Sequence, residues 1–183
     1  MNSFRPISKS SSIAKLLEKV VSYAIMQHLL RYDGISPHQF GFRPQHSTTS
    51  QLLSCLDDWS LAMSQRQPVY CAYIDYKKAF DSVDHQKLLF SLASKGVGPY
   101  LLEWISEYLR DRTQQVRIGD VFSDPAPITS GVLQGSCIGP TAFLVFIDSL
   151  LSKLSSLPGI QVRGFADDVK IYSSSASKLQ RAL

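Results

Sequence analysis

The sequence predicts an α+β fold, a small antiparallel sheet flanked by helices. Three observations carry that prediction. Apolar residues at helical spacing outnumber strand-like runs. The strand-like runs are short, at 69–75, 160–165 and 169–172. The last two flank Asp167-Asp168 as the arms of a hairpin, and no βαβαβ alternation is present. With 183 residues, 44% hydrophobic and 19% charged, the chain fits one domain with a real core.

The elements follow in order. Residues 1–12 are polar, and Ser12 is placed to cap a helix. Ile13, Leu16, Leu17, Val20, Ala24 and Leu29 then mark an amphipathic helix to Leu30. Gly34 and Pro37 open a loop that sets Phe40, Phe42 and Arg43 around Gly41. Helical spacing resumes at Ser50 through Leu52, Cys55, Leu56, Trp59 and Met63. Val69 to Asp75 reads as a strand, with Cys71 buried among its neighbours, and Tyr76 to Asp81 as a turn or single helical turn. Asp84 caps a helix through Leu88, Leu89, Leu92 and Ala93, stopped at Lys95-Gly96. Pro99 opens another helix to Leu109. Gln114–Ile118 and Val121-Phe122 flank Gly119-Asp120 as a hairpin. A glycine-rich connection, 131–139, leads to Pro140 and an apolar helix to about Leu154. Strands 160–165 and 169–172 follow, then a serine-rich tail with a helix starting only near Leu183.

The net charge of +4 is uneven: the first 50 residues carry six Lys/Arg against two acids, and the rest is balanced at 13 each. A basic front end suits phosphate binding, and equally serves solubility. Three distant cysteines and four scattered histidines predict neither a disulfide framework nor a zinc site. No signal peptide or membrane-length apolar run is present, so the reading is an intracellular protein, cytoplasmic or nuclear, with no membrane partner.

The chemistry lies in the acids. Asp75 ends one strand, and Asp167 and Asp168 occupy the hairpin tip. Three carboxylates at one sheet rim can hold two divalent metals about 3.5–4 Å apart for phosphoryl transfer. Mg²⁺ takes hard oxygen ligands, few of them from protein. A solvated turn is the plain alternative for any Asp-Asp pair.

At these residues the sequence resembles the reverse transcriptase domain of non-long-terminal-repeat, LINE-like retrotransposons. Five ordered blocks carry the resemblance: Arg5-Pro-Ile-Ser8; Gln39-Phe-Gly-Phe-Arg43 with His46-Ser-Thr-Thr49; Asp75-Tyr-Lys-Lys-Ala-Phe-Asp-Ser-Val-Asp-His85; Gly131-Val-Leu-Gln-Gly-Ser136 with Gly139-Pro140; and Phe165-Ala-Asp-Asp168. The resemblance implies the fingers and partial palm of a right-hand polymerase, with the thumb absent. Residues 1–68 would be fingers-like and 69–183 a partial palm, with 97–130 a connecting or fingers-side segment, all within one reverse transcriptase domain.

It also implies an RNA-directed DNA polymerase using two Mg²⁺, or Mn²⁺. Asp75, Asp167 and Asp168 would be catalytic and metal-binding. Arg43, Phe80, Gln134 and Gly135 would bind nucleotide, with Phe80 gating against a ribose 2′-hydroxyl. Arg5 and Arg43 would contact nucleic acid. The implied partners are RNA template, DNA primer, dNTPs and the thumb and endonuclease regions of a larger polyprotein. The residues alone leave Phe80 open as a core aromatic, Arg43 as a surface residue and 131–139 as a helix-entry turn. Leu133 replaces a usual Pro, which would loosen that loop, and Asp148-Ser149 replaces a usual Asn-Asp. A group II intron maturase-type enzyme is a related reading. A non-catalytic nucleic-acid-binding fragment, or an inactive relic, is the alternative from another class.

Overall fold

The computed structural model describes residues 8–183. Helix α1 spans Ser12–Arg31 and is capped by Ser11, one residue before the expected Ser12. Its buried face is Glu18, Val21, Ile25 and Leu29. Of the expected apolar face only Leu29 is buried; Ile13, Leu16, Leu17 and Val20 are exposed. Apolar residues lie on most sides of this helix, so periodicity does not single out a face. The face is instead set by Glu18, whose carboxylate accepts hydrogen bonds from Tyr108 Oη at 3.1 Å and from the Cys137 amide at 2.6 Å. Burial, then the Glu18 charge, push the Tyr108 hydroxyl up to about 12.

Helix α2, Thr48–Ser64, starts at a reciprocal Ser47–Ser50 cap and buries Gln51 and Cys55. Leu52, Leu56 and Met63 are exposed, against expectation. Strand β1 is Tyr70–Ile74; a 3₁₀ turn, Phe80–Ser82, follows. Cys71 is half-buried rather than buried. Asp84 caps α3, His85–Ser94, and Pro99 opens α4, Pro99–Leu109, as the sequence predicts. A nested hairpin follows: β2 (Thr113–Gln114) pairs β5 (Ala126–Pro127), and β3 (Arg117–Ile118) pairs β4 (Val121–Phe122). Helix α5, Gly139–Ser155, leads to β6 (Gln161–Phe165), β7 (Asp168–Ser173) and α6 (Ala176–Ala182). The tail serines do not delay that helix: Ser175 caps it.

The main sheet is antiparallel in the order β1-β7-β6. One face of β7, Val169 and Ile171, packs with Leu151 and Leu154 of α5. Alternation turns Lys170 and Tyr172 to the other face. There Tyr172 Oη donates to Asp58 of α2, and Arg163 Nη2 reaches the same carboxylate at 2.6 Å. A larger core joins α1, α3, α4 and α5 around Leu29, Leu88, Leu92 and Phe143.

Asp148, in the Asp-Ser departure, is an internal tie. It is 6% exposed; Oδ1 accepts from the Ser36 amide at 2.6 Å and Oδ2 from Lys95 Nζ at 2.5 Å. Lys95 also donates to the Gly34 carbonyl at 2.6 Å. Removing one member of a buried, hydrogen-bonded ion pair strands the other. Asp148→Ala is therefore expected to destabilise the chain by about 3 kcal/mol, measured by urea unfolding.

Candidate active site

The sheet brings the three acids to one end. Ile74, the last residue of β1, faces Val169 across the ladder, and Asp75 follows it. Phe165 faces Asp168, so Ala166-Asp167 form a two-residue turn beside that edge. Asp75 and Asp168 are exposed and Asp167 is half-buried.

A cleft of about 560 Å³ opens over this end, lined by Asp75, Phe80, Gln134, Gly135 and Asp167, with Phe42, Lys77 and Lys78. Asp168 lines an adjoining groove with Asp75, beside Tyr73 and Lys170. Among the described residues no three His, Cys, Asp or Glu side chains converge as a metal cage. Asp75 and Asp167 nonetheless supply hard carboxylate oxygens to one open cleft. Such a donor set fits Mg²⁺, which keeps several water or phosphate ligands.

Phe80 packs as a core aromatic and also lines the cleft. Its ring stacks on Phe143 at 4.1 Å between centroids and meets Phe42 edge-on at 6.1 Å, while still walling the cleft. Gln134 Nε2 donates to Asp81 Oδ1 at 2.8 Å, which orients its carboxamide. Gly135 lies at φ +95° and Gly131 at +90°. A Cβ on Gly131 would come 2.8 Å from Asp81 Cα, so the glycine-rich loop lies flush on the segment after Asp75. Backbone bonds hold this loop on either side of Leu133. Gly131 donates to the Val83 carbonyl at 2.7 Å, Val132 to that of Phe80 at 2.8 Å, and Cys137 to Glu18.

The remaining predicted residues lie elsewhere. Arg43 is half-buried, and its Nη1 donates to the Ser36 carbonyl at 3.0 Å, bracing its own loop outside the cleft lining. Arg5 lies outside the described residues. Lys77 and Lys78, two residues of the Asp75 block, both line the cleft.

Two features escaped the sequence reading. Gln39, 1% exposed, reaches the hairpin turn through its side chain. Arg163 ties the same sheet to α2: Nε donates to Ser54 at 2.9 Å, and Nη1 lies 3.4 Å from His38 Nδ1. Gln39 opens the Gln39–Arg43 block, but no local signal names its partner, which is 127 residues away.

A family model described as reverse transcriptase (RNA-dependent DNA polymerase) matches residues 1–183, so the chain belongs to that family. Within it, the chain is related to the enzymes of non-long-terminal-repeat, LINE-like mobile elements. It is 30% identical to the RNA-directed DNA polymerase from mobile element jockey of Drosophila melanogaster, over 98% of this chain and 20% of that protein. It is 32% identical to the probable RNA-directed DNA polymerase from transposon X-element of the same fly, over 91% of this chain and 18% of that one. The chain thus spans about a fifth of these relatives' length. The telomerase structure from Candida tropicalis with a fragment of telomeric RNA superposes with a TM-score of 0.68 at 13% identity, over 93% of this chain and 30% of that one. A truncated apo telomerase from the same species gives 0.65 at 13% identity, over 92% and 36%. These likenesses show the shared fold. Among the described residues no helix is long and apolar enough to cross a membrane.

His38 yields a test of this region. Burial, then the Arg163 charge, hold its imidazole below the ordinary 6.5. The folded chain therefore binds fewer protons than the unfolded one below that value. Stability is full above about pH 6.5 and falls as pH drops through it. His38→Gln is expected to flatten that part of the stability–pH curve, read by denaturant midpoints from pH 7.5 to 5.

Proposed function

We propose that this chain carries the polymerising centre of an RNA-directed DNA polymerase. It would transfer deoxynucleotides to a primer 3′ hydroxyl on an RNA template. The observation that carries this reading is that Asp75, just after β1, and Asp167, in the β6–β7 turn, line one cleft with Phe80 and Gln134. A solvated turn would have no reason to share a cleft with those residues.

In this reading residues 1–68 are fingers-like and 69–183 a partial palm, with 97–130 a connecting or fingers-side segment. Asp75 and Asp167 would hold Mg²⁺, with Asp168 supporting from the adjoining groove; the bound metal would supply charge neutralisation at the phosphates and a more acidic attacking hydroxyl. Lys77 and Lys78 attract the triphosphate into the cleft. Phe80, propped by Phe143, presents a rigid ring where an incoming sugar lies and excludes a 2′-hydroxyl. Gln134, oriented by Asp81, presents its carboxamide oxygen to the nucleotide, and Gly135 keeps that approach free of a side chain. Arg43 shapes the loop that meets the hairpin through its bond to Ser36 and would offer its remaining N–H donors to the template backbone. RNA template, DNA primer and dNTPs are the partners. Outer parts of a larger polyprotein would strengthen the hold on the primer, since orienting the attacking hydroxyl lowers the barrier further.

The test is primer extension on an RNA template with Mg²⁺. The parent is expected to extend the primer, and the Asp167→Asn, Asp168→Asn double variant to extend it at least ~100-fold more slowly, about 2.7 kcal/mol of barrier. No extension by a folded parent, with duplex binding kept in the double variant, would support the non-catalytic nucleic-acid-binding reading instead. A second expectation concerns the ring. Phe80→Val should raise ribonucleotide relative to deoxynucleotide use by roughly tenfold, about 1.4 kcal/mol. Unchanged discrimination in competition assays would leave Phe80 a core residue only.

A further inference from the structure

We propose that Gln39 is the positioning residue of the carboxylate turn: its side chain holds Ala166 in a left-handed conformation and thereby aims Asp167 into the cleft. This inference rests on the proposed metal-binding role of the acids.

Ala166 is at φ +56°, a region that costs an ordinary L residue about 1–2 kcal/mol. In a two-residue hairpin the first turn position with positive φ is normally Gly. Here a side chain from another part of the fold stabilises the conformation. Gln39 Oε1 accepts from the Ala166 amide at 2.9 Å, and Gln39 Nε2 donates to the Ala166 carbonyl at 3.3 Å. Oε1 also accepts from the Gly41 amide at 2.8 Å. Both acceptor positions of the carboxamide oxygen are thus used. A flipped amide would point its NH₂ group at two N–H donors, so the network admits one orientation.

The surroundings are shaped for this clamp. The Phe40 amide donates to the Gly164 carbonyl and the Gly164 amide to that of His38, both at 2.8 Å. This lays the 38–40 segment parallel to β6, with Gln39 opposite Gly164. A Cβ on Gly41 would lie 2.3 Å from the Ala166 nitrogen. The absence of a side chain at Gly41 therefore lets the loop approach the turn. Gln39 is 1% exposed and Ala166 6%, so water cannot replace the bonds without reorganisation. Without Gln39 the Ala166 amide loses its partner at the turn. The 166–167 peptide is then free to rotate, carrying the Asp167 carboxylate with it.

The test uses Mn²⁺ as a probe, with binding to the full chain followed by electron paramagnetic resonance. Four variants stand beside the parent: Gln39→Met, of similar length without the hydrogen bonds; Gln39→Glu, which still accepts from both amides; Asp167→Asn; and Val162→Ala, which weakens the same sheet away from the turn. Gln39→Met is expected to weaken Mn²⁺ binding about tenfold, the low end for loss of a supporting partner of a metal ligand. Val162→Ala should retain affinity despite a lower melting temperature, and Gln39→Glu should recover much of the loss. Amide exchange at Ala166, followed by NMR without metal, should accelerate in Gln39→Met. Unchanged affinity in Gln39→Met, or equal losses in Gln39→Met and Val162→Ala, would overturn the positioning role alone. A parent that binds Mn²⁺ no better than Asp167→Asn would overturn the metal-binding reading itself, and this inference with it.

Discussion

The placement of β7 between β1 and β6 is the constraint on which the site depends. Pairing Ile74 with Val169 and Phe165 with Asp168 brings residues about ninety positions apart to one sheet end. Side chains alternate along each strand. A one-residue slip of β7 would turn Val169 and Ile171 away from α5 and move Asp168 to the other face. The hydrophobic contact of those two residues with Leu151 and Leu154 therefore holds the register and, through it, the acids.

Buried polar groups join the layers around that sheet. Glu18 links α1 to the glycine-rich loop and to Tyr108 of α4. Asp148 links α5 to the 34–36 segment and to Lys95. Asp58 links α2 to Arg163 and Tyr172, whose hydroxyl is pushed well above its ordinary range by burial and by the bond to Asp58. Gln39 links its loop to the hairpin turn. Each contact is directional, and each would leave a buried polar atom unsatisfied if its neighbour shifted. They add geometric selection to a core that hydrophobic burial alone would leave able to slide.

Legibility followed the range of the forces involved. Helix α3 was readable because Asp84, the apolar spacing and Gly96 are local signals. Helices α4 and α5 were readable because a proline stands in the first turn of each. The hairpin at 117–122 followed from Gly119-Asp120. The buried face of α1 was not readable, since a glutamate occupies it and leucines lie outside. Helix α2 shows the same effect: Gln51 is buried while Leu52 and Leu56 are exposed. Polarity patterns assign faces by composition, but a buried polar residue is decided by partners distant in the chain.

The sequence by itself determined the α+β class, the order of the helices and of the main-sheet strands, and the motif residues Asp75, Phe80, Gln134 and Asp167-Asp168, but not the β2–β5 pair. Local propensity, turn chemistry and residue type carry that information. Only the tertiary structure decided that Asp75 and Asp167 share a cleft, that Asp168 lines its neighbour, and that Arg43 braces its own loop. It also decided that Phe80 is both core and cleft wall, and that Gln39 grips Ala166. Those outcomes depend on strand register, close backbone approach and hydrogen bonds between distant segments. Such quantities exist only once the chain has closed on itself.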